Sequence, residues 1–250
     1  MMATETTKGA TPQEIPSVWT RPQRSRREMP ALSRDQIVDE AIALLDAEGY
    51  EALSMRKLGA RLGAGATSLY THVSNKDELL ELVVDQAFGE VRAPDAAASD
   101  EWRDTLLTLS RGIRDTMLRH PWIGVVMSSA GLAYLGPNLM GLSESMLTVI
   151  EEAGFDEEAA DRAMQAIFAY LIGSTSGEAA MMTTVARSGL SEQEWIDRIQ
   201  AVAEQVARPY PRIYKRTLAQ RDTDAARTRE DGFVAELGLI MDGLELRRGR

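Results

Sequence analysis

Between Gly63 and Lys76 the chain gathers side chains that form hydrogen bonds without carrying negative charge: Thr67, Ser68, Tyr70, Thr71 and His72. Hydroxyls, a phenol and an imidazole in this density suit base edges and phosphate oxygens. At 100° per residue, Leu69 and Val73 fall within about 40° of each other, which makes them the buried side of a short helix over 66–73. Thr67, Ser68 and Thr71 then lie roughly opposite, with Tyr70 and His72 flanking them. Such a face enters a DNA groove without repulsion. Lys76 adds a cation in the first turn of the next helix, a position that opposes the helix dipole unless an anion such as a DNA phosphate lies near.

Each of these residues also has an ordinary reading. Gly63 and Gly65 suit a tight turn with or without DNA. His72 suits a surface or packing position, and Lys76 beside Asp77 and Glu78 suits a solvated charge. The inference rests on their combination.

Other chemistries find little support. The chain has no cysteine and two histidines, so disulfides, thiolate zinc sites and a cysteine nucleophile are excluded and no metal or other cofactor is expected. GSTSG at 173–177 superficially resembles a nucleophile elbow, but its centre is Thr175 and it sits inside a helical pattern. Close helix packing explains its small residues better, and no catalytic residue is assigned. The 44% hydrophobic and 26% charged residues suit a globular protein. The N-terminus lacks the apolar core of a signal peptide and no run reaches a membrane span, so the expected location is cytoplasmic, away from membranes. The net charge of −10 argues against a generally basic nucleic-acid binder. It is unevenly spread: residues 1–82 hold ten Lys/Arg and twelve Asp/Glu, and residues 83–250 hold eighteen and twenty-six.

The elements that must position this face are helical. Residues 1–30 carry Pro12, Pro16, Pro22 and Pro30 in a polar setting and read as a flexible arm, with Arg21, Arg24, Arg26 and Arg27 available to DNA. From Ser33 to Glu48, Ile37, Ala41, Leu44 and Leu45 recur at helical steps, with Ser33 as cap and Gly49 as stop. Ser54 caps a second helix that runs through Leu62 and ends at Gly63; the third follows from Ala66 to Val73. Ser74, three residues before Asp77, suggests a capping box for a fourth helix continuing to about Val91. Residues 93–99 read as a linker. Helical periodicity resumes at Asp100–His120, Pro137–Ala153, Asp156–Arg187, Ser191–Ala207 and Thr223–Leu246. The expected fold is all-α: an N-terminal three-helix helix-turn-helix domain at 31–92 and a larger helical domain at 99–250.

Residues 32–80, LSRDQIVDEAIALLDAEGYEALSMRKLGARLGAGATSLYTHVSNKDELL, resemble the DNA-binding domain of the TetR family of bacterial transcriptional regulators. The likeness covers about a fifth of the chain in detail: the Gly-aromatic pair after helix one, R-K-L-x-x-x-L-G in helix two and L-Y-x-H-V-x-N-K in the reader. It implies a homodimer on a palindromic double-stranded operator. It brings Ser54 and Arg56 to the DNA backbone, makes Ala66, Thr67, Ser68, Tyr70, Thr71 and His72 the reader's exposed positions, and makes Tyr70, His72 and Lys76 phosphate contacts. Thr67, Ser68 and Thr71 are then better placed for base edges. Ala64, Gly65 and Ala66 depart from commoner members in being small, which leaves thymine methyls or DNA shape to discriminate there.

Residues 136–173 look most like the subgroup containing the tetracycline repressor. That likeness implies a small-molecule effector in the second domain, with Met117, Trp122, Val126, Tyr134, Met140, Met146, Phe168 and Leu171 as candidate lining, and an intersubunit bundle from the helices at 156–187 and 223–246. Val126 falls where that repressor has a histidine that helps hold a magnesium–drug complex, so a more apolar effector is expected. The resulting expectation is a repressor released from its operator by a small apolar molecule. The rival reading is a helical ligand-binding protein that has lost DNA binding.

Overall fold

Ser33 starts the first helix by a reciprocal exchange. Its hydroxyl accepts the Gln36 amide at 3.0 Å, and the Gln36 side chain accepts the Ser33 amide at 2.9 Å. Two donors that no helical carbonyl can reach are thereby satisfied. This helix, α1 (Arg34–Glu48), buries Ile37, Val38, Ala41, Leu44 and Leu45 and stops at Gly49, whose φ of +81° strains any residue with a Cβ. The structure, a computed structural model, describes residues 32–92, 101–128, 136–221, 223–246 and 248.

Eleven α-helices and no strands are present among the described residues, as an all-α fold requires. After a 3-10 turn at Tyr50–Ala52 come α2 (Met55–Arg61), α3 (Ala66–Leu69) and α4 (Lys76–Phe88). The larger part holds α5 (Trp102–Arg119), α6 (Trp122–Met127), α7 (Pro137–Glu152), α8 (Glu157–Ser188), α9 (Glu192–Ala207), α10 (Pro211–Ala219) and α11 (Ala225–Glu245).

Several bounds differ from the sequence reading. The cap of α4 is Asn75, whose Oδ1 accepts the Glu78 amide at 2.8 Å. Ser74 lies one residue outside, its amide held by the Glu78 carboxylate at 2.8 Å. The third position of the helix is therefore Glu78, not Asp77; the cap is shifted by one, and the expected box does not form because Glu78 reaches past the cap to the Ser74 amide. α4 ends at Phe88 rather than near Val91. α3 keeps only four helical residues; Thr71 turns its hydroxyl onto the Ser68 carbonyl at 2.7 Å, a local bond that competes with helix continuation. α6 and α10 were not anticipated.

α4 is the hub. Leu79, Leu80, Leu82, Val83, Val84, Ala87 and Phe88 are buried around most of its circumference, against α1 on one side and α5, α6 and α7 on the others. Burying the Leu, Val and Phe side chains among them contributes about 1.5–3 kcal/mol each. Asp85 is buried there too. Its Oδ1 accepts the amides of Asn138 and Leu139, each at 3.0 Å, and its Oδ2 accepts the Asn138 side-chain amide at 3.0 Å. The carboxylate thus caps α7, where the positive end of the helix dipole offsets its desolvation. Gly136 has to be glycine, because a Cβ there would lie 2.1 Å from Asp85 Oδ1. The apolar core runs without a break from Ile37 in α1 to Met241 in α11.

In the larger part, α5, α8, α9 and α11 are joined by an ionic network. The Arg114 guanidinium, stacked 4.8 Å from the Phe233 ring, holds Glu178 through two bonds of 2.8 and 2.7 Å and Glu230 through a third of 2.9 Å. Arg229 reaches both Glu178 and Glu192. Burial works against the Arg114 charge, but its bonds to Glu178 and Glu230 outweigh it and hold the guanidinium above its usual range.

Candidate nucleic-acid interface

The turn from α2 to α3 is built on Gly63, in the left-handed region at φ +62°. The Ala64 amide bonds back to the Gly59 carbonyl at 2.9 Å, which folds the chain tightly enough to swing α3 across α2. Leu69 and Val73 are fully buried, as their spacing requires, and anchor α3 to the core. The His72 and Val73 amides both bond to the Leu69 carbonyl, at 2.9 and 3.0 Å, so the chain keeps winding to Val73 after regular helix ends.

This anchoring leaves Thr67, Ser68, Tyr70 and Thr71 exposed, with Tyr70 51% accessible, while His72 is half-buried. Ala66 opens the helix. Ser54 and Arg56 are exposed at the start of α2, where the Ser54 hydroxyl accepts the Lys57 amide at 3.2 Å. Ser54 is thus a cap in its own right, with a lone pair and a proton left for an outside partner. Lys76 is half-buried, its Nζ 4.4 Å from the centre of the Tyr50 ring. The ring relieves part of the cost of a cation at a helix start, and it explains the aromatic residue after Gly49.

One feature escaped the sequence reading. An open groove between α1 and α3 is lined by Ser68, Thr71 and His72 on one side and by Gln36, Asp39 and Glu40 on the other. Two carboxylates therefore stand beside the reader, although none lies on it. Both are engaged, Asp39 by the Gln86 amide and Glu40 by the Arg61 guanidinium, and Arg61 also lies 3.7 Å from Glu48. The Arg61 guanidinium offsets the repulsion Glu40 would exert on a phosphate backbone, whereas the neutral Gln86 amide leaves the Asp39 charge in place. The signal was present in the sequence only as charges a helix apart.

Residues 37–83 match the family of bacterial regulatory proteins designated tetR, and residues 93–248 match the tetracyclin repressor-like C-terminal domain. The chain belongs to the TetR family. It is a DNA-binding transcriptional regulator, as are its relatives. An HTH-type transcriptional regulator of Saccharopolyspora erythraea is 43% identical over 162 residues, 65% of this chain and 67% of that one. The HTH-type transcriptional repressor DrrR1 of Streptomyces coeruleorubidus is 32% identical over 224 residues, covering 89% and 80%. The TetR family protein ActR of Streptomyces coelicolor, solved in complex with actinorhodin, superposes with a TM-score of 0.74 at 27% identity, covering 89% of this chain and 99% of ActR. No helix among the described residues is long and apolar enough to cross a membrane.

Within this family member, Met117 of α5, Trp122 and Val126 of α6, Met146 of α7 and Leu171 of α8 all fall in the core, at most 3% exposed, with Phe168 half-buried against it. Met140 does not join them: it is 43% exposed on α7, because the inward turn there is taken by Leu139 and Leu142. Tyr134 lies outside the described residues. The sequence reading missed three hydroxyls in this region. Ser110 and Thr175 are fully buried and the Ser176 oxygen is inaccessible, and none has a hydrogen-bond partner among the described residues. Gly124 of α6 lies directly on Ser176, where a Cβ would come within 2.3 Å of the hydroxyl. Thr175 and Ser176 belong to the GSTSG stretch, inside the uninterrupted 32-residue α8, so close packing with α6 accounts for its small residues.

Proposed function

We propose that two copies of this regulator bind a palindromic double-stranded operator through paired α3 helices, and that a small molecule in the larger helical part releases them. The observation that carries this reading is the exposed row of Thr67, Ser68, Tyr70 and Thr71, pinned from behind by Leu69 and Val73. Ser54, Arg56, Tyr70, His72 and Lys76 serve phosphates, and Thr67, Ser68 and Thr71 serve base edges in successive major grooves about 34–36 Å apart. The division into an arm at 1–30, a DNA-binding domain at 31–92 and an effector and dimerisation domain at 99–250 belongs to this proposal. The rival reading, loss of DNA binding, finds no support among the relatives.

Dimerisation is supported by an uncovered face on α8, where Ala166, Ala169, Gly173, Gly177 and Ala180 are exposed in helical register, and by Leu239 of α11, 71% exposed. Small residues on one face let a second helix approach closely. The effector reading is supported by ActR, solved with actinorhodin. The core from Met117 to Leu171 suits a mostly apolar effector, and the hydroxyls of Ser110, Thr175 and Ser176 call for hydrogen-bonding groups on it. Repression follows the name of DrrR1, and the protein works without catalysis or a resident cofactor.

Selection of duplexes from random DNA by the purified full-length protein tests this directly. The expected result is an enriched inverted repeat bound by a dimer in sedimentation. Indifference to every duplex at low ionic strength, or a monomer at micromolar concentration, overturns it.

A further inference from the structure

His120 ends α5 at the corner where the chain turns into α6, and it is 4% exposed. Its Nδ1 lies 2.7 Å from Asp46 Oδ1 at the end of α1, and its Nε2 lies 3.2 Å from Glu90 Oε1 just beyond α4. One imidazole thus touches α1 and the turn in which α4 ends.

The protonation of that ring is set by its partners. Asp46 Oδ1 also accepts the Trp122 indole N–H at 2.7 Å, and an indole nitrogen only donates. Glu90 is paired through its other oxygen with the Arg119 guanidinium. Two ionised carboxylates accept and do not donate. A neutral imidazole carries a single N–H and satisfies one of them, leaving its bare nitrogen facing the oxygen of the other. Only the imidazolium donates to both. The charged groups placed on it are Asp46 from α1, Glu90 from the end of α4 and, through Glu90, Arg119 of α5; Trp122 of α6 packs its ring 5.7 Å away.

We infer that His120 is a positioning residue, held as an imidazolium that clamps α1 and α4 to the α5–α6 corner and so fixes the reader helices relative to the effector part. The inference rests on the operator binding proposed above. α6 carries Trp122 and Val126 of the candidate effector lining and packs on α8 through Gly124. A shift of α6 therefore pulls at the same corner. Loss of either bond opens the clamp on one side, and operator affinity falls.

The chain has only two histidines, His72 and His120, so full-length protein labelled with 15N-histidine gives a spectrum that His72→Gln assigns by subtraction. The expected result is two protonated ring nitrogens on His120 at neutral pH, reverting to one in Asp46→Asn. A single protonated nitrogen in the wild type overturns the inference. The functional arm measures affinity for the selected duplex at neutral pH. His120→Gln, its fold checked by circular dichroism, is expected to weaken binding about tenfold, within the usual size of coupling between sites. An unchanged affinity in that variant overturns the positioning role even if the ring is doubly protonated. A wild type that binds no duplex overturns the operator reading instead, and the ring state then decides the clamp alone.

Discussion

Arg56 and Thr67 separate two kinds of contact that a single affinity measurement would merge. Arg56→Ala should weaken binding to all duplexes alike and lower the slope of log affinity against log salt by about one, because one phosphate contact is lost. Thr67→Ala should leave that slope in place and relax preference at one base position, by about 1–3 kcal/mol of discrimination. Competition binding at several salt concentrations reads both. In the larger part, Arg114→Met strands Glu178 in a buried setting with only Arg229 left to it, and urea unfolding should show a loss of about 3–5 kcal/mol. Burial, with Glu236 nearby, pushes the Tyr170 phenol up to about 12 from the ordinary 10.0. The folded chain therefore holds that proton more tightly than the unfolded chain does. The stability this confers is complete below about pH 10 and is lost as the pH climbs toward 12; Tyr170→Phe should flatten that alkaline limb in denaturation curves taken across it. Leu69 and Val73 were legible from sequence because one period fixes their side of the helix. The Arg114 network was not, since Arg114, Glu178 and Arg229 meet only once three helices have packed.

Among the elements, α4 depends on a cap that a one-residue ambiguity concealed. Ser74 and Asn75 both have side chains able to cap, and the choice is made by where the backbone leaves extended geometry, at Asn75 with φ −159°. Asn75→Ala should cost about 1 kcal/mol in unfolding measurements, whereas Ser74→Ala leaves the cap bond in place. Long helices with one polar side, such as α1 and α8, announced themselves through periodicity. α6 did not, because WIGVVM is buried at four of its six positions and has no polar side to set a period. α10 was hidden for the opposite reason. Its apolar Ile213 and the preceding Tyr210 are each 57% exposed, and Ile199, Val202 and Val206 on α9 are exposed too, so the pattern points away from the chain's own core.

For the whole molecule, charge distribution matters more than net charge. The acidic excess sits mostly beyond residue 82, while the basic residues of the arm precede α1. The arm lies outside the described residues, and its role is tested by removal: deleting residues 1–28 should weaken duplex binding and reduce its salt dependence, whereas an unchanged slope assigns those arginines elsewhere. The order of the parts could be read from the sequence, but how firmly they adhere could not. Periodicity reports which side of a helix is apolar and says nothing about how many neighbours share it. α4 is covered over most of its surface, with α5, α6 and α7 supplying part of that cover. Severing the polypeptide between residues 92 and 101 would strip Phe88 and its companions of half their surroundings, so the amino-terminal fragment alone should clump or melt instead of serving as a miniature DNA reader.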